Sequence, residues 1–460
     1  MGSAGLSCGK ITRNRPWLTE PKEVFLSTET PPLHQGQVLE LEVSELAAGG
    51  RGLARAPDGR AVFVSGSLPG ERVRAQLTRL KREYMEALAQ EVLSASPQRT
   101  RPPCPLYGRC GGCSLQHLEY PAQVAAKAAW VQQALARLGP LPAAQPKASP
   151  LVWGYRHRVR LAVQQGGLGF FAAGTNLVVP LSHCPVAAEG VNRLLPGLAQ
   201  GLTQIDARHL SWLEVLAGPE SAFVTLGLDP RRPLSNRWRA ELRRLCRRAG
   251  VAATRLAWGR ELEPWEYSRE SGVAYYAEHG LELTAFPGLF VQANFAANQR
   301  LIELVLAAAQ DAPAGSALDL YAGSGNFGLP LARAGRQVLA VEASAEALAA
   351  AAWQAGQAGL ADQVELRAAE AAPAVADLVA QDRRFALAVL DPPRAGAREV
   401  MGALARLAPA RIIYVSCHPA ALARDAALLL ETGYQAVQAW AVDMFPHSGH
   451  TEAVLVLDRD

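Results

Sequence analysis

The sequence predicts an α/β protein whose C-terminal part is a doubly wound, Rossmann-like parallel sheet, preceded by a small β-barrel and a mixed α+β middle segment. Three observations predict it. From residue 286 to 460, short apolar runs alternate with Ala-rich segments of helical length, the order that a parallel sheet with crossover helices requires. Residues 38–43, 60–64 and 71–77 read as short strands separated by Gly49-Gly50, Asp58-Gly59 and Pro69-Gly70, as in a small barrel. A chain of 460 residues also exceeds a single core, and about 150 residues per domain gives three. The expected division is a flexible lead at 1–35, with prolines at 16, 21, 31 and 32, then a barrel at 36–95, a middle domain at 96–285 and the sheet domain at 286–460.

Composition narrows the class. Apolar content of 49% and charged content of 19% describe a globular protein. No run approaches the roughly 18 apolar residues needed to cross a bilayer, and the first 35 residues lack the apolar core of a signal peptide. A cytoplasmic monomer with no membrane partner is expected. Seven cysteines in a reduced chain argue for metal or catalysis over disulfides. The net charge of +4 conceals an asymmetry: residues 311–460 carry 11 Lys and Arg against 17 Asp and Glu, or −6, which leaves +10 on residues 1–310. A basic front and an acidic back suit a polyanion held by one and processed by the other.

The barrel segment carries part of that basic excess, since residues 51–110 hold 11 basic and 5 acidic side chains. Next come Cys104, Cys110 and Cys113, with Gly111-Gly112 allowing the backbone to wrap closely, and Cys184 farther along. Four thiolates suit zinc or an iron–sulfur cluster, and spacing alone does not choose between them. A helix follows, with Val124, Trp130, Val131, Ala134, Leu135 and Leu138 at helical spacing and a stop at Gly139-Pro140. Residues 151–285 read as mixed strands and helices. Arg156, Arg158 and Arg160 share one strand face, and ten arginines crowd residues 231–260, where a helix with Leu242 and Leu245 inward turns arginines to solvent or to RNA.

Past residue 289 comes Phe290-Val291-Gln292-Ala293-Asn294, then a helix, then a strand running into Asp319-Leu320-Tyr321-Ala322-Gly323-Ser324-Gly325-Asn326-Phe327-Gly328. Such glycines let a ligand approach the backbone, and the following helix start offers free N–H groups. Another strand ends in Glu342, placed to accept from ribose hydroxyls. The Gly-x-Gly pattern alone fits a dinucleotide as well. Read from Asp319, it looks more like an S-adenosylmethionine (SAM) methyltransferase.

Two later strands each end in chemistry: an apolar run at 385–390 stops at Asp391-Pro392-Pro393-Arg394, and a run at 411–415 stops at Ser416-Cys417-His418-Pro419. Ligands bind beyond the carboxyl ends of parallel strands, so Cys417 is a candidate nucleophile; a buried structural cysteine is the alternative. An aromatic residue after Asp-Pro-Pro would suggest amino-group methylation of a base stacked on that ring. Arg394 stands there instead, and a thiol nearby points to a pyrimidine carbon, which becomes nucleophilic at C5 only after addition at C6. Glu452, before the last strand, is the candidate base. His447 and His450, three apart, read as a polar loop rather than a metal pair.

Residues 49–55 and 64–71 resemble a TRAM domain, an OB-like RNA-binding module. Across 36–460, the four cysteines, Phe290 to Asn294, Asp319 to Phe327, Leu390 to Gly396, Tyr414 to Cys417 and His447 to Glu452 together resemble the RNA 5-methyluridine (uracil-C5) methyltransferases of the class with a TRAM domain and an iron–sulfur cluster. The resemblance implies Cys417 as nucleophile, Glu452 as base, Gln292, Tyr321, Gly323, Asn326, Glu342, Glu370 and Asp391 around SAM or the target, and a [4Fe-4S] cluster on Cys104, Cys110, Cys113 and Cys184. It implies an RNA partner, with rRNA favoured over tRNA, and a helix after Cys113 packed on the catalytic domain. Two positions depart or vary: His418 replaces the family's usual Asn, and Glu370 occupies a variable position beside the adenine. Radical-SAM methylthiotransferases need Cys-x3-Cys-x2-Cys, whereas the first gap here is five residues. Cytosine-C5 enzymes carry a Pro-Cys pair that Asp391-Pro392-Pro393 lacks, and a non-enzymatic RNA-binding module has no need of Cys417, Asp391 and Glu452 together.

Overall fold

The computed structural model describes residues 33–141, 143–229, 231–232, 234–259 and 261–459, so nearly all of the expected lead lies outside the described residues. Strands β1 (Val38–Ala47), β2 (Arg51–Arg55), β3 (Ala61–Ser65), β4 (Arg72–Leu80) and β5 (Tyr84–Ser94) close into a barrel in the order β1-β2-β3-β5-β4. Alternate residues face inward: Val62 and Val64 on β3, and Val73, Ala75 and Leu77 on β4, form its core. At the exit the buried Glu71 carboxylate accepts from the Leu68 and Ser96 N–H groups and from Arg99, tying the barrel to the cysteine-rich segment.

Helix α1 (Tyr120–Leu135) and a short strand β6 (Gln145–Lys147) follow. The middle of the chain is a seven-stranded sheet. Its strands are β7 (Arg158–Gln164), β8 (Gly167–Phe171), β9 (Val178–Pro180), β10 (Leu210–Ala217), β11 (Ala222–Leu228), β12 (Ala253–Trp258) and β13 (Glu261–Leu262), in the order β13-β12-β11-β10-β7-β8-β9. Helices α2 (Glu189–Leu202) and α3 (Asn236–Arg248) cover it through Leu194, Leu198, Leu242 and Leu245. The α3 arginines at 243, 244, 247 and 248 face solvent, as the spacing predicts. The basic strand face is partly neutralised from within, because Arg158 and Arg160 converge on the buried Glu214 carboxylate at 2.8 and 3.0 Å. A hairpin, β14 (Val273–Glu278) and β15 (Leu281–Ala285), leads to the last domain.

There the chain alternates α4 (Phe295–Gln310), β16 (Ala317–Leu320), α5 (Gly328–Arg333), β17 (Val338–Glu342), α6 (Ala345–Gln357), β18 (Val364–Ala368), α7 (Ala371–Ala380), β19 (Leu387–Leu390), α8 (Arg398–Leu407), β20 (Arg411–Ser416) and α9 (Pro419–Leu430), then β21 (Tyr434–Val442) and β22 (Glu452–Arg459). The sheet runs β18-β17-β16-β19-β20-β22-β21-β6, parallel through β20, with β22 antiparallel to both its neighbours. Both faces are apolar: Leu387 and Val389 pack with α4 and α5 on one side, Ala388 and Leu390 with α7 to α9 on the other. Near-continuous apolar strands are what burial on two faces demands. Strand β6, which the expected boundaries assign to the middle domain, pairs with β21 and ends this sheet. Among the described residues, no helix is long and apolar enough to cross a membrane.

Helix α1 packs on α9 and β21, in line with the resemblance, and carries a buried cation. Lys127 is 1% exposed and its Nζ lies 2.6 Å from the Asp443 carboxylate, itself 2% exposed, while also donating to the Phe445 carbonyl at 2.8 Å. Lys127→Met would leave Asp443 buried without its cation, at an expected cost of about 3–5 kcal/mol. The check is a lower urea midpoint for Lys127→Met, with recovery when Asp443→Asn is added.

Candidate active site

The sheet register delivers the candidate residues to one edge. Leu320 pairs with both Val341 and Leu390, and Leu390 pairs with Tyr414, so the residues just beyond each strand emerge together: Tyr321, Glu342, Asp391 and, after Ser416, Cys417. Strand β22 runs back beside β20 with Ala453 opposite Ser416, which sets Glu452 next to the Cys417 end. A cleft of about 1370 Å³ between the last domain and the middle sheet is lined by Gln292, Tyr321, Gly323, Glu342, Glu370, Asp391, Cys417 and Glu452. Asn326 is the exception among the expected cofactor residues. Its amide pairs with Asn298 and accepts from the Tyr275 hydroxyl, and it does not line the cleft.

Burial sets the electrostatics. Glu452 is 2% exposed, and desolvation followed by the charge of Asp391 holds its carboxyl well above the usual range. Asp391 is raised likewise by burial, against the Gln292 amide, which donates to it at 3.3 Å. The Cys417 thiol is pushed up to about 11 by burial and then by the negative charges of Glu452 and Asp391, with Arg394 pulling the other way. The Glu342 carboxylate accepts from the Gly323 N–H at 3.0 Å and the Ser344 N–H at 2.9 Å, which pins the glycine loop to the next strand end. Tyr321 adopts φ +61°, a left-handed conformation rare for a non-glycine residue, at the mouth of the cleft. Gly325, at φ +95°, could not carry a side chain, because a Cβ would lie 2.5 Å from Leu329.

The loop bearing Glu452 is held from several sides by residues that the motifs did not mark. The His447 carbonyl accepts from the Ser114 and Leu115 N–H groups, its N–H donates to Gln123, its ring meets the Gln123 amide at 3.1 Å, and it stacks on Trp153 at 3.6 Å. Burial, then the charge of Lys127, holds that imidazole down to about 4, so it is neutral. Asn294 caps α4 and donates to the Met444 carbonyl, and the Tyr155 hydroxyl donates to that of Pro446. Gly449 lies against Gly49 of the barrel, where a Cβ would come within 2.3 Å of the Gly49 backbone. A sequence signal for part of this existed: Gln123 and Lys127 are polar residues four apart on a helix face that continues into Trp130 and Val131. His418 caps α9, its Nδ1 accepting from the Ala421 N–H at 3.1 Å, as an Asn side chain would in that place.

Cys104, Cys110, Cys113 and Cys184 are free thiols that line one cavity of about 30 Å³ together with Tyr107, Gln116 and Phe170. Among the described residues no set of three or more His, Cys, Asp or Glu side chains is drawn together as a formed metal site.

Known proteins decide the family. The model for tRNA (uracil-5-)-methyltransferases matches residues 119–460, and the TRAM-domain model matches residues 32–89. The chain belongs to the RNA uracil-C5 methyltransferases. It is 38% identical to the 23S rRNA (uracil(1939)-C(5))-methyltransferase RlmD of Halomonas elongata, over 91% of this chain and 89% of that one. To the enzyme of the same name from Shewanella amazonensis it is 36% identical, over 92% and 96%. The crystal structure of the Pyrococcus abyssi tRNA (uracil-54, C5)-methyltransferase with S-adenosyl-L-homocysteine shares the fold, with a TM-score of 0.70 at 22% identity over 91% of this chain and all of that one. This RNA uracil-C5 methyltransferase is thus a SAM-dependent enzyme with an N-terminal TRAM barrel.

Because Glu452 raises the Cys417 thiol, neutralising that carboxyl should make the thiol easier to ionise. Alkylation of Cys417 by iodoacetamide, followed by peptide mass spectrometry, should titrate near pH 11 in the free enzyme and at lower pH in Glu452→Gln.

Proposed function

We propose that the enzyme methylates C5 of a uridine in large-subunit rRNA through a covalent adduct between Cys417 and C6. The observation that carries this reading is the placement of Cys417, Asp391 and Glu452 on one cleft wall by the β19-β20-β22 register. The names of the curated relatives favour rRNA over tRNA.

The target base leaves its RNA fold and enters the cleft. The Cys417 sulfur, once its proton has left, adds to C6, and the C5–C6 π electrons pass into an enolate. C5 takes the methyl group of SAM, releasing S-adenosylhomocysteine. Glu452 removes the C5 proton, the enolate re-forms, and expulsion of the Cys417 thiolate restores the double bond. Glu452 suits the base, since burial raises its proton affinity toward working pH. For the cofactor, Glu342 would offer lone pairs to ribose hydroxyls, Gly323 would give the backbone room, and Glu370, which lines the same cleft, would meet the adenine. Gln292, Tyr321 and Asp391 line the same cleft and would stand between cofactor and base. Asn326 is left to brace the glycine loop through Asn298.

The four-thiol cavity fits an iron–sulfur cluster by donor chemistry: Cys104, Cys110, Cys113 and Cys184 share one void, and the Gly112 N–H already donates to the Cys110 sulfur at 3.4 Å. A [4Fe-4S] cluster held there would cross-link the segment that grips His447 to the middle sheet.

Cys417→Ala should lose methylation of an rRNA fragment by more than about a thousandfold, the scale of losing a nucleophile, while SAM binding by calorimetry stays unchanged; substantial turnover would overturn the assignment. In Glu452→Gln the adduct should accumulate, visible as a protein–RNA band on a denaturing gel. Acidification should slow the wild type through a pKa well above 4.5, because protonated Glu452 cannot take the C5 proton. In Asp391→Asn, whatever rate remains should show that limb moved to lower pH, since the charge that raises Glu452 is gone.

A further inference from the structure

Cys417 stands on the wall of two cavities. Besides the large cleft, it borders a second space of about 450 Å³ between the barrel turn at Ala48 and Gly49, the cysteine-rich segment, α1 and the start of α9. Their charges differ. The cleft is lined by four carboxylates, Glu342, Glu370, Asp391 and Glu452, and by three arginines, Arg156, Arg160 and Arg394, whereas among the described residues no acidic one lines the second cavity. Its wall carries Arg394, an exposed guanidinium without an ion pair among the described residues, and His450, both shared with the cleft, together with His418. The twelve-residue helix α9 begins there, the positive end of its dipole at Pro419 and Ala420. Thr451, also on this wall, is 5% exposed, and its hydroxyl has no partner among the described residues.

We propose that the second cavity takes the phosphodiester that flanks the target uridine, while the base occupies the acidic cleft. The proposal rests on the uridine reading above. A nucleotide attacked at C6 by Cys417 must place its base within reach of the thiol, and its own phosphate has to leave that point by some route. On the cleft side carboxylates stand against the arginines, whereas the second cavity sets a guanidinium against no carboxylate, which favours a phosphate there. The neighbouring cavity is the contiguous space that opens at the same sulfur, and it offers a guanidinium, a helix start and an unsatisfied donor. Its walls come from the TRAM barrel, α1 and the catalytic domain, so a strand held there is held by all three.

The test uses the full-length enzyme and an rRNA fragment that it methylates, carrying single neutral methylphosphonate linkages on either side of the target uridine. One flanking linkage should raise Kd roughly fivefold, as for one partly screened charge contact, and make the log–log salt slope shallower by about 0.7. Ala48 is exposed on the cavity lip and free to change. Ala48→Glu should weaken RNA binding and Ala48→Arg should not, with SAM affinity constant in both. Equal binding of every flanking methylphosphonate RNA, or equal loss in Ala48→Glu and Ala48→Arg, would overturn the proposal. Failure of the wild type to methylate any rRNA fragment would instead strike the uridine reading itself.

Discussion

The arrangement depends on one buried ion pair, Lys127 with Asp443, and on the loop that it anchors. Residues 443–451 connect β21 to β22, and Glu452 stands at the end of that connection. A connection without regular structure would otherwise leave Glu452 free to wander. Here its first residue is tied to α1 by charge, His447 is clamped between Gln123 and Trp153, and Gly449 abuts the barrel. A charge pair removed from water is a poor source of net stability but a strict one for geometry, because any other arrangement leaves an ion unpaired in the core. The loop is therefore the place where barrel, cysteine segment, α1 and catalytic sheet meet, and its fixed point is a carboxylate.

Around that point the site sets groups against one another. Glu452 is buried and Asp391 half-buried, and the charge of Asp391 adds to what burial does to Glu452. Two such carboxyls do not both ionise freely, so Glu452 holds its proton more tightly than a surface acid does. Their charge also discourages the Cys417 thiolate, so that the sulfur holds its proton in the free enzyme. Arg394 is the counterweight, and it borders both cavities that meet at the sulfur.

Much of the catalytic edge was legible in the sequence. Parallel strands that stop at proline turns present their next residues at one edge, so Asp391 and Cys417 could be brought together by counting strands. Glu452 needed more: its nearness to Cys417 comes from β22 running antiparallel into the sheet, which a residue pattern does not announce. His418 is intelligible once it is seen as a helix cap, where imidazole Nδ1 does the work of an amide oxygen. Asn326 sat inside the glycine motif, yet the loop turns it toward Asn298, because positive-φ glycines decide side-chain direction locally. Lys127 and Asp443 lie more than three hundred residues apart, and their pairing arises only from the docking of α1. Arg156, Arg158 and Arg160 share a face in the sequence pattern, but that pattern does not show that Glu214, on the neighbouring strand β10, claims two of them.

The most direct measurement is a trap with RNA carrying 5-fluorouridine at the target site, in which C5 bears fluorine and the final elimination cannot proceed. Incubated with SAM and the wild-type enzyme, it should give a covalent complex whose digest shows a methylated fluorouracil nucleotide on the peptide containing Cys417. No complex, or one attached at a different residue, would contradict the role given to Cys417 and with it the account of the site.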